Sequence, residues 1–474
     1  MMKYVSTRGD APVLGFCDTI LAGLARDGGL YVPQTWPQLS GETIAGFAGQ
    51  PYAKVAQTVL WPFVDGEIDR TAFNAIVDEA YATFAHPAVA PLVQTGNNTF
   101  VQELFHGPTL AFKDVAMQLL SRLMDHVLKQ RGDKVTIVGA TSGDTGGAAI
   151  EAFRARNNAD IFILFPKGRV SDVQRLQMTG VHDANVHALA IEGDFDDCQA
   201  LVKAMFNHHA FRDANALSGV NSINWGRIMA QIVYYFTAAV ALGAPNRRVS
   251  FSVPTGNFGD IFAGFVAKKM GLPVETLVIA TNSNDILART LETGRYEKSG
   301  VEITTSPSMD IQVSSNFERL LYEASGRDAD YVCRCMSSLS QSGSFSLGDA
   351  VWSVIRKEFD AGRADDRTVA KTIEQTLAET GYLLDPHTAV GLDVADTVVQ
   401  KTGGLGAPMV VLATAHPAKF PDAVEAASGI RPPLPTRCGD LMDARERFTV
   451  LANNLEAVEA YISRSTRAAK VATA

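Results

Sequence analysis

Lys113 stands between Phe112 and a run in which Val115, Leu119, Leu120, Leu123 and Val127 recur at helical spacing, so a helix is predicted to begin beside it. An ammonium at the positive end of a helix dipole and next to apolar bulk is disfavoured in its charged form, and its pKa falls. That is what a lysine needs in order to form a Schiff base with an aldehyde. Taken alone, such a lysine reads far more readily as a surface group paired with its neighbour Asp114.

A second feature shifts the balance. The loop Thr255-Gly256-Asn257-Phe258-Gly259-Asp260 joins a strand-like run to a helix-like one through two glycines. The N–H groups of such a loop and of the first helical turn have no partner within the helix, which makes them a natural cradle for an anion. The loop is neither a P-loop, because no Lys-Ser/Thr pair follows, nor a dinucleotide fingerprint, because the glycine spacing differs. A reactive lysine and a separate phosphate cradle together suit a cofactor with one aldehyde and one phosphate, pyridoxal 5'-phosphate.

Two further loops stand out. Thr141-Ser142-Gly143-Asp144-Thr145-Gly146-Gly147 offers three hydroxyls, a carboxylate and three glycines at a helix start, and either binds an anion or caps the helix. Thr414-Ala415-His416-Pro417 follows the strand-like 409–413. Ligands of open parallel sheets sit outside the carboxyl ends of strands, so these loops and 255–260 are expected to face one crevice.

The elements that must hold them are legible as alternating runs. Residues 134–138, 161–165, 186–191, 248–253, 276–280 and 409–413 read as strands, and 148–156, 195–207 and 261–270 as helices, with Asp194 capping the second. Strands alternating with helices of this length indicate βαβ units and parallel sheet, an α/β chain. Residues 1–95 read as a mostly helical subdomain, with helices over 44–64 and 71–84, the latter capped by Asp69 or Thr71. The division expected is 1–95, a catalytic core of two interleaved α/β domains over 96–428, and a proline-bearing linker with a helix over 441–463 in 429–474, the tail 466–474 fraying.

The chain of 474 residues carries 42 basic and 51 acidic side chains and is 46% apolar. It can bury a large core. Its charge of −9 without a basic block argues against nucleic acid or an anionic membrane as partner. The apolar run 232–245 is too short to span a bilayer. No secretory or transit signal is visible, and five irregularly spaced cysteines do not make a disulfide framework, so a cytoplasmic, reducing location is expected. No metal site is expected: Cys333 and Cys335 lack partners at zinc spacing.

The segments His106-Gly-Pro-Thr-Leu-Ala-Phe-Lys113-Asp114, Ala140-Thr-Ser-Gly-Asp-Thr-Gly146, Val253-Pro-Thr-Gly-Asn-Phe-Gly-Asp260 and Thr414-Ala-His-Pro-Ala-Lys-Phe420 together resemble threonine synthases of the longer microbial and fungal type. Arg26-Asp-Gly-Gly-Leu-Tyr-Val-Pro33 and Asn221-Ser-Ile-Asn224 extend the likeness over nearly the whole chain. The resemblance implies fold type II of the pyridoxal-phosphate enzymes, similar to the tryptophan synthase β chain. It implies that Lys113 carries the cofactor as a Schiff base, that Gly256, Asn257, Phe258, Gly259 and Asp260 cradle its phosphate, that Thr414 meets the pyridine nitrogen, and that Asp144 lies near the phenolic oxygen. The reaction implied converts O-phospho-L-homoserine and water into L-threonine and phosphate, with the chain a monomer or homodimer. A phosphorylated substrate needs local cations and donors, and the candidates are Thr141, Ser142, Thr145, Lys167, Arg169, Asn224 and Arg227. Arg227 opposes the dipole of its own helix start, which a bound anion would explain. The rival expectations are a serine/threonine dehydratase or another phospho-lyase of the same fold, and a cofactor-binding relative without turnover.

Overall fold

The computed structural model describes residues 1–401, 403 and 406–469. Its strands in chain order are β1 (Tyr4–Ser6), β2 (Tyr31–Pro33), β3 (Leu92–Gln94), β4 (Thr99–Glu103), β5 (Val135–Ala140), β6 (Ala159–Pro166), β7 (Val186–Glu192), β8 (Leu217–Ser218), β9 (Val249–Pro254), β10 (Val274–Thr281), β11 (Arg295–Glu297), β12 (Ser344–Ser346), β13 (Phe359–Arg363), β14 (Met409–Ala413) and β15 (Thr449–Ala452). Two sheets carry the architecture. The larger runs β13-β10-β9-β14-β4-β3, parallel except for the antiparallel edge pair β3–β4, and the smaller runs β15-β7-β6-β5-β8, parallel throughout.

Strands β6, β9 and β14 are buried at every residue. Parallel strands covered by helices on both faces require this, and it explains why these runs read as continuously apolar rather than alternating. The helix Trp225–Ala241 is almost entirely buried and packs against the helices Lys113–Arg131 and Gly259–Lys269, so the helices that begin at the expected site share one core.

The strand and helix expectations hold in order and type, with differences at the two ends of the chain. The helix expected over 44–64 is divided into Gly41–Ala45 and Tyr52–Val64, because Gly46, Gly49 (φ 72°) and Pro51 interrupt it. The next helix, Arg70–Tyr81, is capped by Asp69, whose side chain accepts from the N–H of Thr71 and Ala72. The helix expected over 441–463 is replaced by a 3-10 segment Thr436–Asp443, strand β15, and a helix Leu455–Ser465 capped by Asn454. Thr449-Val450-Leu451 pairs with Leu189-Ala190-Ile191 of β7, and the β-branched residues make that edge a better home than a helix interior. The start of the tail does not fray: Arg467 Nε lies 2.7 Å from the buried Asp160 Oδ1, and the Thr466 hydroxyl meets that of Thr136 at 2.6 Å. Residues 470–474 lie outside the described residues.

Arg319 joins strand β2 to the loops around 221–224 and 316. Fully buried, its guanidinium donates to Tyr31 O at 3.0 Å, to Ile223 O at 2.6 Å and to the Asn316 side chain. Asn316 in turn holds the 255–260 loop, so the distant motifs 26–33 and 221–224 both bear on it.

Candidate active site

Backbone pairing sets Lys113 beside the end of β14. Phe112 N donates to Thr414 O at 2.8 Å, His416 N to Leu110 O at 3.0 Å, and Leu104 N to Ala413 O at 3.0 Å. The helix Lys113–Arg131 starts at this seam. Asp114 is not the partner of Lys113: its carboxylate accepts from Thr109 N and Thr109 Oγ1, both at 2.7 Å, and burial pushes it up to about 6. Gly107 is required there, because a Cβ would stand 2.4 Å from that of Asp114.

Lys113 is buried, with Nζ 3.3 Å from Asp144 Oδ2 and 4.7 Å from the centre of the Phe112 ring. Burial lowers its pKa; Asp144 opposes this, while the charges of Arg227 and Lys419 reinforce it.

Asp144 gathers residues from four parts of the chain. Oδ1 meets Lys419 Nζ at 3.1 Å and Gln174 Nε2 at 3.0 Å, while Oδ2 meets Lys113 Nζ and Ser308 Oγ, both at 3.3 Å. Burial works against its charge, but Lys419, then Lys113 and Gln174, hold the carboxyl far below its usual range. Ser308 is itself placed by its backbone N–H on His387 Nε2 at 3.3 Å, and His387 Nδ1 meets Asp385 Oδ2 at 2.8 Å, an arrangement that assigns the ring proton to Nδ1. Lys419, Gln174, Ser308, His387 and Asp385 are not among the residues picked from the sequence. Lys419 lies inside a motif already noted, and Asp385-Pro-His has the form of a side-chain turn, but neither signal names Asp144 as the destination.

The 255–260 loop fits a phosphate. Its carbonyls are tied from behind: Gly256 O accepts from Ser314 Oγ at 2.6 Å, and Asn257 O from Asn316 N at 3.1 Å and Asn316 Nδ2 at 2.9 Å. Among the described residues no acceptor is recorded for the N–H groups of Gly256, Asn257, Phe258, Gly259 and Asp260. Phe258 holds φ 62° at the helix N-cap, a conformation that a non-glycine residue adopts only at a cost and that turns successive N–H groups inward. A Cβ on Gly256 would stand 2.7 Å from Ser308 O, so the turn carrying Ser308 closes against this loop. Of Asp260 only the N–H is placed to serve such a cradle. Its carboxylate points back to the hydroxyls of Tyr234 and Tyr235 (2.9 Å for the latter), Oδ2 has no partner, and burial raises it to about 6.

The remaining candidates divide. Thr414 follows β14 and its hydroxyl makes no hydrogen bond among the described residues, as is also true of Ser142 and Thr145, both half-buried in the 141–147 loop. Arg227 is buried with Nε unpartnered and one long bond of 3.4 Å from Nη1 to Val220 O, and burial lowers it to about 10. An uncompensated buried cation whose charge reaches Lys113 fits an anionic ligand. The structure corrects Asn224, Lys167 and Arg169, and ties Thr141 to its own loop. The Thr141 oxygen accepts from Gly143 N and Gly146 N at 2.9 Å, and its O–H meets no acceptor among the described residues. Asn224, fully buried, caps its helix through Gly226 N and donates to Ile20 O at 2.8 Å and Gly219 O at 3.2 Å. Lys167 is exposed and paired with Glu192 at 3.3 Å, and Arg169 beside it is exposed too, because Gly168 turns both outward. His416 spends Nδ1 on Ala418 N at 3.1 Å and is lowered to about 4 by burial.

The three loops therefore meet: 414 and 113 through the backbone, 144 through Lys113, and 256 through the Ser308 turn. Three family models match the chain, described as threonine synthase N terminus over residues 3–81, pyridoxal-phosphate dependent enzyme over 87–341, and threonine synthase C-terminal over 388–462. A threonine synthase of Pseudomonas aeruginosa is 54% identical over 463 residues, 98% of each chain. The crystal structure of a pyridoxal-phosphate-bound threonine synthase from Brucella melitensis is 65% identical with a TM-score of 0.95, covering 98% of this chain and all of that one (100%). A yeast threonine synthase structure is 38% identical with a TM-score of 0.92, covering 98% of each. With three matched segments and likeness over 98% of the chain in both sequence and fold, the chain belongs to the threonine synthase family of pyridoxal-phosphate-dependent enzymes.

Proposed function

We propose that the chain is a lyase that converts O-phospho-L-homoserine and water into L-threonine and phosphate. The observation that carries this reading is the buried Lys113 amine, 3.3 Å from Asp144, in the same seam as a glycine loop whose N–H groups stay open. Bound there, pyridoxal phosphate supplies an electron sink for charge developing on the substrate's carbon skeleton. Lys113 holds the cofactor and, when released by the substrate amine, carries protons between substrate carbons. The N–H groups of 256–260 grip the cofactor phosphate, aided by the helix dipole behind them, worth about 0.3–1 kcal/mol or more when buried. The Thr414 hydroxyl meets the ring nitrogen as a neutral partner, which tempers the sink. Asp144 orients Lys113 and faces the phenolic oxygen. Arg227 supplies positive charge in a chain that is acidic overall, and the Ser142 and Thr145 hydroxyls offer donors to the substrate. Burial keeps bulk water from Lys113.

The test separates this from a dehydratase. Incubation with O-phospho-L-homoserine should release phosphate and threonine in equal amounts, and incubation with threonine should release little ammonia. Ammonia from threonine without phosphate release from phosphohomoserine would reverse the assignment.

A further inference from the structure

Lys419 lies at 0% exposure on the turn after Thr414, and its ammonium protons meet three acceptors: Thr109 O at 2.8 Å, Gln177 Oε1 at 2.7 Å and Asp144 Oδ1 at 3.1 Å. Gln177 is held in turn by donating to Thr109 O at 3.0 Å. Two lysines thus share one carboxylate unequally. Lys419 is bound on three sides, whereas Lys113 has a single acceptor at 3.3 Å.

We propose that Lys419 is a positioning residue that serves as the standing counter-ion of Asp144, so that Lys113 can release its proton without leaving a buried carboxylate unpaired. The inference rests on Lys113 being the cofactor lysine. A buried carboxylate stripped of its cation is strongly destabilised. With Lys113 as sole partner, Asp144 would therefore hold the ammonium in place and oppose the neutral amine that must attack an aldehyde. With Lys419 present, the triad of two ammoniums and one carboxylate reaches neutrality when Lys113 deprotonates. The other charged groups facing Lys113 act in known directions. Arg227, from the helix Trp225–Ala241, favours the neutral amine, and the charge of Asp260, from the helix Gly259–Lys269, couples to Lys113. His387, next to Ser308, faces Asp144 from the other side.

In cofactor loading the neutral Nζ attacks the aldehyde carbon; a C=N bond forms, and the aldehyde oxygen leaves as water with both amine protons. The experiment follows the rate of pyridoxal phosphate incorporation into the cofactor-free full chain from about pH 6 to about pH 10, trapped by borohydride and located by peptide mass spectrometry. Lys419→Met should move the acid limb of the rate upward by about one pH unit, which is about tenfold slower loading at pH values below the limb. Asp144→Asn should move it downward, and the Lys419→Met/Asp144→Asn pair should return it close to the parent. A merely structural lysine would change stability and leave the limb in place. Superimposable limbs for the parent and Lys419→Met, or a double variant that stays with Lys419→Met, would overturn the proposal. Should Lys419→Met fail to fold, Lys419→Gln, which keeps a donor toward Thr109 O, carries the same expectation. Lys113→Ala should incorporate nothing; label persisting in that variant would overturn the lysine assignment itself rather than the role of Lys419.

Discussion

The loops 141–147 and 255–260 are both rich in glycine, both follow a buried parallel strand and both open a helix, yet they are wired in opposite senses. In 141–147 a hydroxyl takes up two of the loop's own N–H groups, and the one charged side chain, Asp144, is turned inward to Lys113 and Lys419. In 255–260 the carbonyls are taken by Ser314 and Asn316 and the N–H groups are left over. Anion affinity follows from which backbone groups remain unspent, not from the number of glycines. One loop orders a carboxylate, and the other leaves N–H donors open to an anion.

Removing the amine between the loops gives the largest effect: Lys113→Ala should lower turnover by about 10³-fold or more, read by phosphate release, while far-ultraviolet circular dichroism stays unchanged.

A pH effect comes next. Asp260 titrates at about 6 in the folded chain, above the ~4 of an unfolded aspartate. Folding therefore favours its protonated form, and stability falls as pH rises from about 4 to about 6 and stays lower above that, by up to about 3 kcal/mol. Asp260→Asn should remove this fall, measured by urea denaturation of the cofactor-free chain at each end of the window. An unchanged slope would mean that another raised carboxyl, such as Asp114, sets the fall.

Gly256→Ala should weaken cofactor affinity by about 10- to 100-fold in equilibrium dialysis, since its Cβ would press on Ser308 O at 2.7 Å and shift donors aimed at a charged group. The smallest effects sharpen the contrast. Asn316→Ala removes the side-chain bond to the Asn257 carbonyl while the backbone N–H of residue 316 keeps the other, and should weaken cofactor binding by about fivefold, roughly 1 kcal/mol. Thr141→Val, which leaves two N–H groups of its own loop unsatisfied, should lower stability by about 1 kcal/mol with little change in cofactor affinity. If Thr141→Val instead released the cofactor, the two loops would not differ as described.

The loops and Lys113 were legible because their signals are local: a polar, glycine-rich stretch directly after an apolar run marks the carboxyl end of a strand. The company they keep was not. Asp144 receives Lys419, Gln174 and Ser308 from far along the chain, and nothing in the spacing of these residues states that they converge. Asn224 was read as a ligand although its position just before a helix suits a cap, and the cap is what the structure shows. Lys167 sits at the end of β6 as a site residue should, but Gly168 sends it to Glu192 at the end of the neighbouring strand β7. The C-terminal helix expected over 441–463 failed because a short β-branched run cannot announce from its own residues that an open strand edge awaits it.

That edge bears on how the protein is made. Strand β15 pairs with β7, and Arg467 and Thr466 fasten to Asp160 and Thr136, so the sheet that leads to Asp144 is completed by residues far along the chain. A nascent chain halted before 449 would expose the backbone groups along β7, to which a foreign strand can add. Synthesis through residues 449–452 closes that edge, so a chain released earlier would carry an open strand in the same sheet that leads to Asp144.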